Sequence, residues 1–473
     1  MSFGLDLFSQ ALFERWAGVP IVLLLCGGAI SLGLLVVPRA AARPALRALA
    51  GFPLFFLLWG SFGVLLFLLG GTVFGGLLAG CIVSFFLLWH AARRGLFTVL
   101  WLRRELALLG LLLASGFVLA VFGWGETRDG TIRAMHGAWG DGPLHTLFAE
   151  AFVRRAGGDF SMPAFAGEII REPFGYDFLA AMLRSGGVTI GGALTLPAAV
   201  LLACVFAWFA RLAVAFTKAG ARGRASSPPD ARARITPATF AAALSLVLLP
   251  TFGGFQWLVF ARREGAWSLS RFFGVHEAFW AKAEELGLVW ENHVVIFSSQ
   301  KHLLLAAAFI LVLAGVFLAS GREKRNVEGS NGSFALTDPI FVLAVGTGVL
   351  PLFHMHAFLG AGLLWISAAL VTRSRSVFFG GVLAALLALP LVIWLAGLFS
   401  RAGFLAFEPG WMATGSTRGW LRFWLVNLGV FLPLSVLAVW GGIRRQRSDT
   451  LLLALPSLAL FVLANLVRFQ PYR

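Results

Sequence analysis

Three observations predict an all-α polytopic transmembrane protein: the share of apolar residues, their grouping into runs as long as a bilayer is thick, and the segregation of charge between alternate connectors. Hydrophobic residues make up 59% of the 473 positions and charged residues 13%, with a mean hydropathy of +0.85. No water-soluble core absorbs that much apolar surface. A span needs about 20 apolar residues, and non-helical backbone is tolerated at membrane depth only where protein or water covers it. By that rule helices are expected at 19–37, 50–70, 72–91, 105–124, 187–217, 237–260, 302–320, 338–353, 356–372, 376–398, 421–441 and 449–467, about twelve spans. Residues 1–18 read as a short amphipathic helix lying on the surface. With Asp6 and Glu14 ahead of the first apolar run and no basic segment, no cleaved leader is expected.

Charge then orients the spans. Six alternate connectors carry Arg39, Arg43 and Arg47; Arg93, Arg94, Arg103 and Arg104; Lys218, Arg222, Arg224, Arg232 and Arg234; Arg322, Lys324 and Arg325; Arg373 and Arg375; and Arg444, Arg445 and Arg447. Against these 20 positive charges stand Glu105, Asp230, Glu323, Glu328 and Asp449, so the connectors hold +15 of the chain's +16. A basic excess confined to short alternate loops marks the cytoplasmic side, and it leaves no surplus that calls for nucleic acid as a partner. Cys26, Cys81 and Cys204 lie far apart within apolar runs, with no CxxC spacing, so neither a zinc site nor a disulfide framework is indicated.

The complementary connectors face the other side and differ in kind. The chain divides accordingly into N-terminal spans and surface helix (1–124), a first large outer loop (125–186), and the remaining spans with outer loops 261–300 and 399–420 (187–473). The first loop sets eight acids against six arginines, a net of −2. Long loops with apolar periodicity of their own carry function more often than short connectors do. Leu144, Phe148, Ala151 and Phe152 recur at helical spacing, and Phe273 to Leu286 do so more loosely, so interfacial helices are expected in the first two large outer loops.

The polar residues that invite chemistry lie on this side. Asp141 and His145 are four apart and share a face if a helix begins at or slightly before Pro143. Asp141 reads either as a helix cap or as a general base able to take a proton from an acceptor hydroxyl. Glu172 reads either as an ion-pair partner of Arg171 or as a substrate contact. Tyr176 reads either as part of a tyrosine belt at the headgroup level or, as one of only two tyrosines against 46 phenylalanines, as a hydroxyl kept for a needed hydrogen bond. Glu291, Gln300, Lys301 and His302 bracket the start of a later span; the cations serve either as headgroup anchors or as ligands of a lipid phosphate. His354 and His356, in PLFHMHAFL, stand between spans with no charged neighbour, which suits a cavity or an interface. As His-x-His they converge only in a turn or a broken helix, and two imidazoles alone are not a metal site, so phosphate or sugar contact is the preferred role. Glu408 and Arg418, in FEPGWMATGSTRGW, place a carboxylate beside tryptophans, a pairing that suits a sugar face and is also ordinary at a membrane interface.

Gly140-Asp141-Gly142-Pro143-Leu144-His145, then Phe165-Ala166-Gly167 leading to Tyr176-Asp177-Phe178-Leu179, and later PLFHMHAFL at 351–359, together resemble the GT-C superfamily of polytopic glycosyltransferases, in particular a bacterial branch with this loop and this His-x-His. The motifs cover about a tenth of the chain. The resemblance implies a GT-C-like fold in a bacterial inner membrane with a site facing the periplasm. It implies transfer of a sugar, with inversion, from a polyprenyl-phosphate donor to a lipid, glycan or protein acceptor. Asp141 would be the general base with His145 beside it, Lys301, His302, His354 and His356 would stabilise the leaving phosphate, and Glu172 and Tyr176 would orient the acceptor or the sugar. No cofactor is required, and a divalent cation is optional. Two departures stand out: about four spans precede the first large loop instead of one, and the chain stops at Arg473 where similar proteins continue. The competing classes are a lipid or solute transporter or flippase and an inactive scaffold of GT-C shape. A transporter predicts ionisable residues near span centres, whereas acids here crowd outside them.

Overall fold

The computed structural model describes residues 18–99, 103–122, 125–126, 132–133, 141–164, 168–170, 172–221, 262, 301–323, 338–396, 405–410, 417–428, 431–444 and 448–469. The chain forms two compact units, one of residues 1–208 and 300–399, the other of residues 209–299 and 400–473.

The first unit is built from α1 (Gly18–Val36), α2 (Pro44–Leu68), α3 (Val73–Arg93), α4 (Arg103–Phe122), α5 (Asp141–Arg154), α6 (Gly175–Ser185), the first part of α7 (Ile190–Ala221), α8 (Lys301–Glu323), α9 (Pro339–Val349), α10 (Met355–Thr372) and α11 (Arg375–Ala396). Helix starts follow local chemistry. Pro44 opens α2 with its ring-fixed φ, and the next amide, Ala45 N–H, donates to Glu105 Oε2 from the first turn of α4 at 3.1 Å. Thr72 caps α3 by accepting from Gly75 N–H, Asp338 caps α9 by accepting from Ile340 N–H, and His354 caps α10 by accepting from Ala357 N–H. The turn from α10 to α11 places Arg373 at φ 50°, where its N–H closes on Ala369 O.

Close packing fixes these helices against one another. At the α1–α2 crossing a Cβ on Gly33 would lie 2.0 Å from Arg47 O and one on Gly51 would lie 1.8 Å from Ala29 O, so only glycine permits the backbones to meet. Arg47 is buried beside this crossing and donates from Nε to Val37 O at 2.7 Å and from its terminal guanidinium nitrogen to Leu34 O, at the end of α1. Trp208 Nε1–H donates to Leu46 O, and Trp365 Nε1–H donates to Thr347 Oγ1, tying α7 to α2 and α10 to α9.

The segment between α4 and α7 packs onto this bundle. Phe152 of α5, Phe160, Phe174 and Phe178 of α6 gather with Phe67 of α2 and Trp394 of α11, with neighbouring ring centroids 5.1–5.9 Å apart. The helix expected around Leu144–Phe152 is present as α5. Phe148, Phe152 and the whole of α6 from Gly175 to Leu183 are buried, the aromatics at helical spacing turning one face to the bundle. Gly157 rests on the α2–α3 turn, where a Cβ would lie 2.3 Å from Gly71 O.

The second unit contains β3 (Leu405–Phe407), α12 (Thr417–Leu428), α13 (Phe431–Arg444), α14 (Ser448–Leu466) and β4 (Val467–Phe469), after the short β1 (Gly125–Glu126) and β2 (Ile132–Arg133) pair of the first unit. Strands β3 and β4 pair antiparallel with Leu405 opposite Phe469 and Phe407 opposite Val467, so the chain past α14 is a strand and not a bare exit from a span.

The fold is mostly helical, as expected. Among the described residues seven helices are long and apolar enough to cross a membrane: Gly18–Val36, Pro44–Leu68, Val73–Arg93, Ile190–Ala215, Lys301–Ala319, Met355–Thr372 and Arg375–Leu395. Pro339–Leu352 and Thr450–Leu466 are shorter apolar helices, and the span expected at 421–441 is divided between α12 and α13. The span expected at 237–260, the helix expected at 1–18 up to its last residue, and the interfacial helix of the second outer loop lie outside the described residues, Arg262 apart.

Candidate functional site

Four elements of the first unit bring their polar residues to one place. Helix α5 supplies His145, α6 supplies Asp177, the first turn of α8 supplies Lys301 and His302, and the start of α10 supplies His354 and His356. These are the ends of α8 and α10 remote from Arg322 and Arg373.

His145 Nδ1 lies 2.9 Å from Oδ1 and 3.0 Å from Oδ2 of Asp177. Asp177 is wholly buried, while the His145 side chain keeps 15% of its surface exposed. A carboxylate can only accept, so Nδ1–H of His145 donates to it. Burial pushes the Asp177 carboxyl above its usual range; His145 pulls it back by charge and hydrogen bond, and Lys301 by charge. Lys301 is itself only 5% exposed.

From His145 a row of imidazoles continues. Ring centroids are 5.0 Å apart for His145 and His302, 5.4 Å for His302 and His354, whose planes stack at 22°, and 5.7 Å for His354 and His356. His356 at the end of the row is exposed. His354 accepts from Ala357 N–H at Nδ1, 3.0 Å away. Among the described residues the buried Nδ1 of His302 has no hydrogen-bond partner. The rings form a row and not a cage: among the described residues no three His, Cys, Asp or Glu side chains are placed to hold a metal ion.

The remaining expected residues are distributed differently. Asp141 is the first residue of α5, one turn before His145, which puts the two on one helix face as their spacing predicts. Tyr176 is 2% exposed and its hydroxyl donates to Leu194 O on α7 at 2.9 Å; the needed hydrogen bond is there, and it is made within the protein. Burial, and then the charge of Asp177, raise its pKa well above the usual phenol value. Glu172 is half-buried three residues ahead of α6. Glu408 is exposed in the second unit, its amide donating to Leu466 O, and Arg418 lies in the first turn of α12. Glu291 and Gln300 lie outside the described residues.

Asp177 is the residue that sequence reasoning passed over as a site residue, treating it only as part of a motif. A signal was present: an aspartate inside Gly-Tyr-Asp-Phe-Leu-Ala-Ala-Met-Leu has apolar neighbours on every side, and such a charge needs a partner. A second link, Arg184 Nε to Glu150 Oε1 at 2.9 Å, holds α6 against α5 and so fixes the His145–Asp177 geometry.

Fold and site together define a helical, membrane-type protein with an acid–base cluster at one set of helix ends. No protein-family model matches the chain, and neither does any curated protein or solved structure.

Proposed function

We propose that this chain is a membrane glycosyltransferase of GT-C type, moving a sugar from a polyprenyl-phosphate donor to a hydroxyl of a lipid, glycan or protein acceptor at the periplasmic face of a bacterial inner membrane. The observation that carries the reading is the His145–Asp177 pair, an imidazole held through Nδ1 by a buried carboxylate, the arrangement of a positioned acid–base histidine. In the step proposed, Nε2 of His145 takes the acceptor's hydroxyl proton as that oxygen bonds to the anomeric carbon. The bond from that carbon to the phosphate oxygen breaks, its electron pair leaving with the phosphate. Asp177 positions the base and stabilises the imidazolium. Lys301, His302, His354 and His356 face the charge that develops on the phosphate. Asp141, one turn away on α5, is the competing base.

The test is transfer of radiolabelled sugars from polyprenyl-phosphate donors by the full chain in nanodiscs, with His145→Gln and Asp141→Asn compared with the unaltered protein. His145→Gln is expected to lower turnover by roughly 10² to 10⁴-fold. A loss confined to Asp141→Asn assigns the base to Asp141, and no transfer with any donor removes the reading. The second reading, a proton-linked transporter, is favoured by the buried Asp177 beside Lys301, since charges inside a bundle commonly serve ion coupling. It expects solute uptake that follows a proton gradient and no sugar transfer.

A further inference from the structure

We propose that His354 is a fixed hydrogen-bond donor of the site, its ring proton confined to Nε2 by the α10 backbone and offered to an anionic phosphate oxygen of a bound lipid. A backbone N–H can only donate, and that of Ala357 lies 3.0 Å from Nδ1 of His354. Nδ1 therefore holds a lone pair, and the single proton of the neutral ring must be on Nε2. The ring stays neutral at ordinary pH, because burial and then His356 press its pKa down to about 4.

His145 is held the opposite way, donating from Nδ1 to Asp177. Two rings in one row thus use Nδ1 in opposite senses, His145 donating from it and His354 accepting at it. His302 lies between them, 5.0 Å from one ring and 5.4 Å from the other, and its buried Nδ1 lacks a partner among the described residues. Buried polar atoms are rarely left so in a finished core, and a second oxygen of the same phosphate would meet it. The identity of the ligand rests on the transferase reading; the tautomer of His354 does not.

Two substitutions separate the cap from the donor. In His354→Asn the side-chain oxygen stands where Nδ1 does and asparagine is a favoured cap, but nothing reaches the ε position. In His354→Gln an amide N–H reaches the ε position and the cap is lost. The expected result is that His354→Asn keeps the wild-type thermal midpoint while transfer falls by roughly 10²-fold, the loss typical of one removed donor. His354→Gln is expected to melt earlier yet transfer faster than His354→Asn. Transfer at the wild-type rate by His354→Asn overturns the proposal and leaves the transferase reading standing.

The tautomer is read directly by ¹⁵N NMR of the full chain labelled at histidine, with the His354 signals assigned by their loss in His354→Asn. A protonated Nε2 and a bare Nδ1 are expected, with the Nε2 signal moving as farnesyl phosphate is added. A protonated Nδ1, or an Nε2 signal indifferent to farnesyl phosphate, overturns the proposal even where the wild-type protein transfers no sugar. An equal response to inorganic phosphate upholds the donor and overturns a lipid as its source.

Discussion

Two buried polar clusters in this protein are built on opposite terms. In the second unit Asn465 accepts at Oδ1 from the indole N–H groups of Trp420 and Trp424, at 2.7 and 2.9 Å, and donates from Nδ2 to Phe461 O at 2.8 Å. Its backbone carbonyl and that of Leu466 receive the amides of Gly410 and Glu408. This network is closed, and it holds β3 against the end of α14. In the first unit the histidine row leaves the buried His302 Nδ1 without a partner among the described residues. A closed network fixes a fold, whereas an open one keeps bonding capacity for something that comes later.

The largest effect expected from this contrast is on activity. Asp177→Asn should reduce sugar transfer by about 10³ to 10⁴-fold, because an amide no longer fixes the His145 tautomer or steadies its charged form. A thermal midpoint near that of the unaltered protein would show the loss to be chemical, and unchanged transfer would place Asp177 with Asn465 as a structural group.

Next comes Asn465→Leu, which orphans two indole donors and should cost about 4 kcal/mol at roughly 1–3 kcal/mol each. Calorimetry or a thermofluor shift reads the cost, and the specific activity of the folded fraction should not change.

A smaller effect belongs to pH. The folded pKa of His354 is pushed from 6.5 down to about 4, so between these values the unfolded chain binds the proton and the folded chain does not. Stability is therefore whole above pH 6.5 and declines as pH falls toward 4, by about 3 kcal/mol from this group. The decline should flatten in His354→Asn, and an unchanged slope in that variant would assign it elsewhere.

The smallest expected effect is that of Tyr176→Phe, about 1 kcal/mol for the lost bond to Leu194 O with transfer preserved. A large loss of transfer at unchanged stability would return this hydroxyl to the substrate.

What the sequence disclosed follows from the physics each feature obeys. Apolar runs of span length announce α1, α2, α3, α8, α10 and α11 because the bilayer rule is local and depends on composition alone. His145, His302, His354 and His356 stood out because imidazoles are scarce in such surroundings, and Asp141 and His145 because four residues are one helical turn. Partnership was less legible. Asp177 is 32 residues from His145, and nothing periodic links them; only the packing of α6 into the bundle brings the carboxylate under the ring. Asn465 looked like the tail of a span for the same reason, since its two tryptophans lie 41 and 45 residues earlier. Tyr176 was read correctly as needing a hydrogen bond, yet which oxygen would accept it depended on where α7 came to lie.

Arg47 bears on biogenesis. Its guanidinium is satisfied by carbonyls of Val37 and Leu34, residues that belong to the end of the preceding helix and its exit. Without α1, α2 would lose both carbonyl partners of that cation and the cover over Gly51. Helices α1 and α2 are therefore best handed to the membrane together, as a hairpin whose first half is the chaperone of its second.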